Sequence, residues 1–535
     1  MLVIIKRWGN ALLEERDDGT TLFTYLYFTM TMKNQVFLWM LMASVVGLQS
    51  CSTDDEDSVP SSAAARWSGV TRYATYVSNM EDNTVQVVWN DSATVVIAGN
   101  LSGKVYAEIK GGAVTLLADE SLEEEVTYTL SGMSARGSLY MDGSYKATFV
   151  LNGLTLASAD SAAINIRDGK RINLELADGT VNALADASGG SHKACMMVKG
   201  HTEFSGGGSL TLTGNTGHAF WGKEYVQLKA SVGTITVKSA VGDGFNVNEF
   251  FQMNGGTLDI SGVGDDGIQV NYKTDDDDNV IPLTEDEDNT GEVLIKGGTL
   301  TAIATASSAR GIKTEGSITI NEDKGTTVIT ATSSRHEGIE AKGTISISAG
   351  TVYAQASDDA INSGGDMTIS GGNVCAYSTG NDGLDANGNC YVKGGTVYAI
   401  GSSQPEVGID ANTEKGYKLY VTGGTIVAIG GLEQGSSLTQ SCYQASSWNR
   451  STWYALYDGE DLAFAFKTPS SGGNTMVVST ASTPTLKSGV SVSGGTDYFS
   501  GMGKVGGTVS GGSSVTLSSY SSGNGGQPGG GRKGW

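Results

Sequence analysis

One unit recurs along the second half of this chain, and it limits the possible folds more than any other feature. From residue 255 onward the motif Gly-Gly-Thr-Val-x-Ala is followed by a polar turn and then Asp-Gly-Ile. The first half begins at Gly255, Gly297, Gly371, Gly394 and Gly423, with a variant at Ala349-Gly350. The second half stands at Asp266-Gly267-Ile268, Arg310-Gly311-Ile312, Glu337-Gly338-Ile339, Asp359-Ala360-Ile361, Asp382-Gly383-Leu384 and Val407-Gly408-Ile409. Anchors from Gly311 to Gly408 are 27, 22, 23 and 25 residues apart, and Ala194, Ala219, Gly244 and Gly267 extend the ladder backwards. This is a solenoid period. A propeller blade needs about 40 residues, and no leucine-rich frame is present.

Within each unit the short apolar runs alternate. In Thr351-Val352-Tyr353-Ala354, Val352 and Ala354 share one side and Tyr353 takes the other. Stacked coils therefore carry inward columns of Val, Leu, Ile and Ala. Glycine marks corners where positive φ or close backbone approach is required. No coil buries a core alone, so the array is stable only by stacking. The expectation is an all-β parallel β-helix. Residues 70 to 430 leave room for roughly 15 coils, about 70 Å at about 4.8 Å per rung.

Composition agrees. The 535 residues hold 76 Gly but only 6 Pro, and with no three-residue period collagen is excluded. The net charge of −23 argues against a nucleic-acid partner, since phosphate backbones demand a basic surface. An acidic surface suits divalent cations. Cys390 falls on the inward side of its strand and Cys375 on the outward side, while Cys195 and Cys442 are distant, so no disulfide framework or thiolate metal site is expected. The 4 His show no paired spacing.

Boundaries follow from composition. Residues 1–31 carry Glu14-Glu15-Arg16-Asp17-Asp18, which no signal n-region would hold, and are expected to be an upstream extension, with translation beginning at Met32 or Met30. Residues 32–50 read as a signal peptide: Lys33 precedes an apolar run from Val36 to Leu48, too short for a membrane span of about 20 residues. Leu48-Gln49-Ser50-Cys51 resembles the bacterial lipobox, which makes Cys51 the lipidation site. The acidic linker 51–66 resembles the sorting signal of lipoproteins on the outer face of the outer membrane. Residues 67–150 form an N-terminal cap and first coils, 151–431 the helix, 432–518 a C-terminal cap, and 519–535 a Gly-rich disordered tail. The acidic segment 273–291 reads as a loop between coils.

Two acidic columns flank the anchors. Carboxylates at equivalent positions of adjacent coils repel by about 1 kcal/mol per pair even in water, and calcium, which takes six to eight oxygens, relieves such crowding. Asp358, Asp359, Asp382, Asp385 and Asp410 form the denser candidate metal group, and Asp243, Asp265 and Asp266 a second. The alternative is that Asp before Gly is turn chemistry alone. Tyr353 and Tyr398 stand in an outward column and are candidate sugar-stacking residues.

Leu176-Ala177-Asp178-Gly179-Thr180-Val181-Asn182-Ala183, then Gly207-Gly208-Ser209-Leu210-Thr211-Leu212 and the ladder itself, resemble a family of bacterial carbohydrate-binding domain proteins over roughly residues 125–430. The resemblance implies a right-handed parallel β-helix with bound calcium, affinity for pectic acid and cellulose, and a fold similar to that of pectate-type polysaccharide lyases. Arg310, Val407 and His218-Ala219-Phe220 depart from the pattern, and those coils are expected to lack a metal ligand. Three functions compete. The first is non-catalytic, calcium-dependent binding of acidic or plant cell-wall polysaccharide by a monomeric lipoprotein anchored to the outer membrane and exposed at the cell surface. The second is a structural adhesin. The third is a calcium-dependent lyase, which needs a basic residue beside the metal. Arg310, Lys313 and Lys342 lie one or more coils from the denser acidic group, and Lys393 faces out, so binding ranks first and no catalytic residue is assigned.

Overall fold

The computed structural model describes residues 71–523 and three short strands near the N-terminus. Those strands, Ile4–Trp8, Ala11–Glu15 and Thr21–Thr24, pair antiparallel as a unit of their own. The expected signal peptide, Cys51 and the linker 51–66 lie outside the described residues, as does the tail from 524.

The main body is a parallel β-solenoid of about 14 turns. Each coil contributes three strands. A representative coil runs Ile361–Ser363, Met367–Ile369 and Asn373–Ser378, and the next coil repeats it at Leu384–Ala386, Cys390–Val392 and Thr396–Ile400. Register places like on like: Ile361 over Leu384, Met367 over Cys390, Val374 over Val397. The strands of the first position form a 13-stranded sheet, and those of the other two merge into a 27-stranded sheet. Every inward side chain of these strands is fully buried, which builds one core along the axis.

The Gly-Gly of the repeat has a steric origin. Gly372 and Gly395 adopt φ of 77° and 78°. A Cβ on Gly395 would stand 2.5 Å from the carbonyl oxygen of Gly372 one coil below. No side chain fits a corner that both turns left-handed and touches its neighbour.

At the N-terminal end, the hairpins Thr84–Asn90 with Ser92–Ala98 and Val105–Lys110 with Ala113–Ala118 are antiparallel, and Val126–Ser134 joins Thr84–Asn90 in parallel. Trp89, buried here, donates its indole N–H to the Gly112 carbonyl at 2.8 Å.

The C-terminal region does more than close the end. Met476–Ser479 pairs antiparallel with Thr425–Ile429 and stops the stack. A six-stranded antiparallel sheet, in which Trp453–Asp458 lies between Asp461–Lys467 and Pro484–Ser493, covers the outer side of the last coils. The covered surface is the outward column that alternation identified. Tyr353, Cys375, Tyr398 and Val427 are buried against Tyr454, Phe464, Phe466 and Phe499. Tyr398 is 0% exposed, its ring 5.2 Å from that of Phe466, and its hydroxyl donates to the Lys467 carbonyl at 3.0 Å. The expectation that Tyr353 and Tyr398 stack on sugar is therefore corrected. They do point out of the solenoid core, but apolar outward residues on neighbouring coils form the seat of a second core. Ser519 and Tyr520, expected in the disordered tail, are ordered: Leu517–Ser519 pairs with Tyr443–Ala445, and the Tyr520 hydroxyl donates to the Leu432 carbonyl at 3.1 Å. Among the described residues no helix is long and apolar enough to cross a membrane.

Candidate functional site

The acidic column stands at the corner entering the 13-stranded sheet, and part of its role is structural. The Oδ1 atom of Asp243 accepts the backbone N–H of Asp266 one coil on, at 2.9 Å, and Asp266 Oδ1 accepts that of Arg310 at 2.7 Å. Asp359 does the same for Asp382 at 3.0 Å, and Asp382 for Val407 at 2.5 Å. Each carboxylate satisfies a backbone donor that the corner would otherwise strand. Arg310 and Val407 fit the ladder because receiving such a bond needs only their backbone N–H. His218 fits it from the other side: its Nδ1 accepts the N–H of Asp243 at 3.0 Å, in place of a carboxylate oxygen.

The remaining oxygens gather into clusters. Carboxylate oxygens of Asp243, Asp265 and Asp266 lie within 4.8 Å of one another, and so do those of Asp382, Asp385 and Asp410. Both sets combine a corner residue with neighbours on the outward side. Asn246 donates to Asp243 Oδ2 at 2.7 Å, and Asn362 bridges Asp359 Oδ2 at 3.0 Å and Asp385 Oδ2 at 2.8 Å. Asp358 is not drawn into the second set; its Oδ1 accepts from Asn381 at 2.7 Å. Asp359 stacks directly beneath Asp382.

Electrostatics show strain in both clusters. Burial, then the neighbouring Asp243 charge, pushes the Asp266 carboxyl up to about 7. Asp265 is raised by burial and by Asp243. Burial and the Asp382 charge push Asp410 up to about 11. Asp359 is driven well above the ordinary carboxylate range by burial and then by Asp385, Asp382 and Asp358. All-oxygen, anionic, desolvated donors at this spacing match a hard dication such as Ca²⁺ and offer nothing to a soft metal. The four described cysteines, Cys195, Cys375, Cys390 and Cys442, are buried free thiols.

Between the clusters the chain supplies its own cations. Arg310 Nε lies 3.0 Å from Glu337 Oε2 and 2.5 Å from Glu340 Oε2, and Lys342 also pairs with Glu340. Lys313 Nζ lies 3.7 Å from Asp266 Oδ2. Lys313 thus stands at the edge of the Asp243 set.

A third cluster escaped sequence reading. His201, Glu224 and Glu249 succeed one another at the coil period and converge, and Asp286 and Asp288 of the 273–291 insertion fold back to join Glu249. Glu249 is 0% exposed at φ 66°. Lys273 Nζ occupies the centre, 2.7 Å from Glu249, 3.0 Å from Asp286 and 3.2 Å from Glu224. The insertion is a clamp pinned by one ammonium, and its acidic run is only partly solvated. Burial raises the Glu249 carboxyl to about 7. His201, Tyr225 and Phe250 stack beside it with centroids 4.2 and 4.5 Å apart.

The outward side of the 13-stranded sheet is a polar strip. Register aligns Tyr140, Asn165, Met197, Trp221, Asn246, Gln269, Lys313, Glu340, Asn362 and Asp385 in one column. Amides, one indole and both charge signs on a flat, rigid surface can hydrogen-bond and stack on an extended polyhydroxylated chain.

A family model described as carbohydrate-binding domain-containing protein matches residues 110–383, just over half of the chain. A carbohydrate-binding domain-containing protein of Acetivibrio thermocellus is 28% identical over 146 residues, which cover 25% of this chain and 50% of that protein. The chain therefore spans about half the length of that relative. A solved structure of the polysaccharide lyase-like protein from C. thermocellum, a gadolinium derivative, aligns with a TM-score of 0.36 and 23% identity over 46% of this chain and 91% of the other.

Proposed function

Because the chain belongs to the carbohydrate-binding domain-containing protein family, we propose that it binds acidic or plant cell-wall polysaccharide through calcium and does not cleave it. The observation that carries this reading is the gathering of Asp243, Asp265 and Asp266 within 4.8 Å at the rim of the polar strip. Asp243, Asp265 and Asp266 would hold one ion, and Asp382, Asp385 and Asp410 another. When bound, calcium supplies charge neutralisation and open coordination positions for sugar oxygens. The chain's own part is to fix the carboxylates: Asn246 and the backbone N–H of Asp266 orient Asp243, and Arg310 N–H orients Asp266. The strip then positions the glycan along the solenoid axis.

In this reading the protein is a monomeric lipoprotein, lipidated at Cys51 and held at the outer membrane facing outward, with polysaccharide as its partner. A glycan array probed with the full chain, in calcium and in chelator, tests the reading. Acidic glycans should bind in calcium and fade in chelator. Binding indifferent to chelator overturns the calcium dependence, and no glycan binding overturns the function.

The lyase reading has one observation in its favour. Lys313, 3.7 Å from Asp266, is a basic group beside a candidate metal set, as proton abstraction next to a carboxylate requires. Incubation with polygalacturonate and calcium distinguishes the two. No growth of unsaturated-uronate absorbance is expected. Robust turnover that vanishes in Lys313→Ala would make the protein a lyase.

A further inference from the structure

We propose that Trp221 and Lys193 form a uronate-binding subsite beside the Asp243 set, and that an acidic chain favours that end of the strip over the Asp382 end. The proposal rests on the polysaccharide-binding reading and assigns it to one end of the strip.

Geometry carries the first half. Trp221, on the strand His218–Gly222, is half-buried and projects from the outward side of the 13-stranded sheet. It packs on a small patch made by Ala162, Ala194 and Met197, which are themselves 4%, 0% and 2% exposed. Two alanines and a methionine support the indole on the sheet while leaving it partly exposed. Lys193 Nζ lies 4.7 Å from the indole centroid, so the ring carries a cation at its face. The next residue of the same column is Asn246, and Asn246 donates to Asp243 Oδ2 at 2.7 Å. Trp221 therefore stands one rung, about 4.8 Å, from a residue bonded to the cation-binding carboxylates. That step is comparable to one pyranose residue. A uronate whose carboxylate engages the Asp243 set leaves its neighbour over Trp221, with that neighbour's carboxylate near the Lys193 ammonium.

Charge carries the second half. The Asp243 set has basic company: Lys313 Nζ lies 3.7 Å from Asp266 Oδ2. A bound dication there keeps positive potential toward an anionic chain. Beneath the Asp382 set stands a further carboxylate, Asp359, which accepts the Asp382 N–H at 3.0 Å and is tied to Asp385 through Asn362. A dication there is consumed by the protein's own carboxylates, and no aromatic side chain occupies the outward column at Lys313, Glu340, Asn362 or Asp385. Like charge repels a uronate chain from that end.

Calorimetric titration of the full chain with hexagalacturonate in calcium tests this, with a cello-oligosaccharide as the neutral probe. Trp221→Ala should weaken hexagalacturonate binding by about tenfold or more, as loss of a central tryptophan anchor does, while the calcium-induced rise in melting temperature stays. If Trp221→Ala melts early, Trp221→Phe, which keeps a smaller ring on the same bed, decides through a partial loss. Lys193→Ala should weaken the acidic probe and leave the neutral one unchanged. Native affinity in both Trp221 variants, or in Lys193→Ala, overturns the subsite and leaves polysaccharide binding standing. Absence of binding by the unaltered chain overturns both.

Discussion

Replacing Asp266 by Asn should stabilise the protein in chelator and destabilise it in calcium, at pH 8. The folded Asp266 carboxyl titrates near 7 because burial and Asp243 oppose its charge, whereas in the unfolded chain it titrates near 3.9. The folded form therefore holds a proton that the unfolded form gives up. The stability tied to that proton is complete below about pH 4 and is lost as pH rises through about 7. At pH 8 the loss is on the order of 4 kcal/mol, against about 1–2 at pH 5, from 1.36 kcal/mol per pH unit.

Unfolding entropy of about 2.1 cal/mol/K per residue, over about 450 described residues, is roughly 1 kcal/mol/K. Raising the pH from 5 to 8 in chelator should then lower the melting temperature by about 3 °C through Asp266 alone if the solenoid melts as one unit. The shift is larger if its coils melt in smaller groups. Calcium at about a thousand times its dissociation constant returns about 4 kcal/mol. An asparagine keeps the Oδ1 that accepts the Arg310 N–H at 2.7 Å but carries no charge, so it escapes the pH penalty and forfeits the ion. Other raised carboxyls, such as Asp410 and Glu249, are common to both chains and cancel in the comparison. Scanning calorimetry of both, with and without calcium at pH 5 and pH 8, reads the result. Parallel curves that never cross would refute the reasoning.

Three further outcomes are expected. Tyr398→Ala should open a cavity between the solenoid and the C-terminal sheet and cost about 3–5 kcal/mol, so hydrogen exchange should rise across residues 453–515 before the coils; unchanged exchange there contradicts the second core. Lys273→Met removes the ammonium shared by Glu224, Glu249 and Asp286 and should cost about 3 kcal/mol at pH 8. The cost is smaller at pH 5, where Glu249, titrating near 7, takes up a proton; proteolysis of the 273–291 segment at the two pH values measures it. Cys51→Ala should abolish labelling by a palmitate analogue, and persistent labelling rejects that anchor.

The solenoid was legible because its information is local and repeated. Gly-Gly corners, two-residue alternation and a 22–27-residue period each act within a coil or between neighbours, so Val374 over Val397 and Ile361 over Leu384 follow from counting. What counting missed involves contacts at long range. Alternation places Tyr398 outside the helix core, but Phe466, which covers it, lies 68 residues further on and shares no period with it. Lys273 reads as one residue before an acidic run, and only the folding back of Asp286 makes it the centre of a buried cluster.

The acidic column carries the more general lesson. Density of carboxylates along the sequence singled out residues 358–410, yet the same ladder of Asp-to-backbone bonds runs through both ends. The coils differ in where the chain supplies its own positive charge. Arg310 answers Glu337 and Glu340, and Lys273 answers Glu249, so those carboxylates are already compensated. At Asp243, Asp265 and Asp266, Lys313 stands at the rim, 3.7 Å from one oxygen, too far for a hydrogen bond to that atom. In the proposed reading a cation with several coordination positions would complete the cluster, with Lys313 at its edge. That combination suits a chain of uronates, and it is read from the placement of the few basic residues rather than from the many acidic ones.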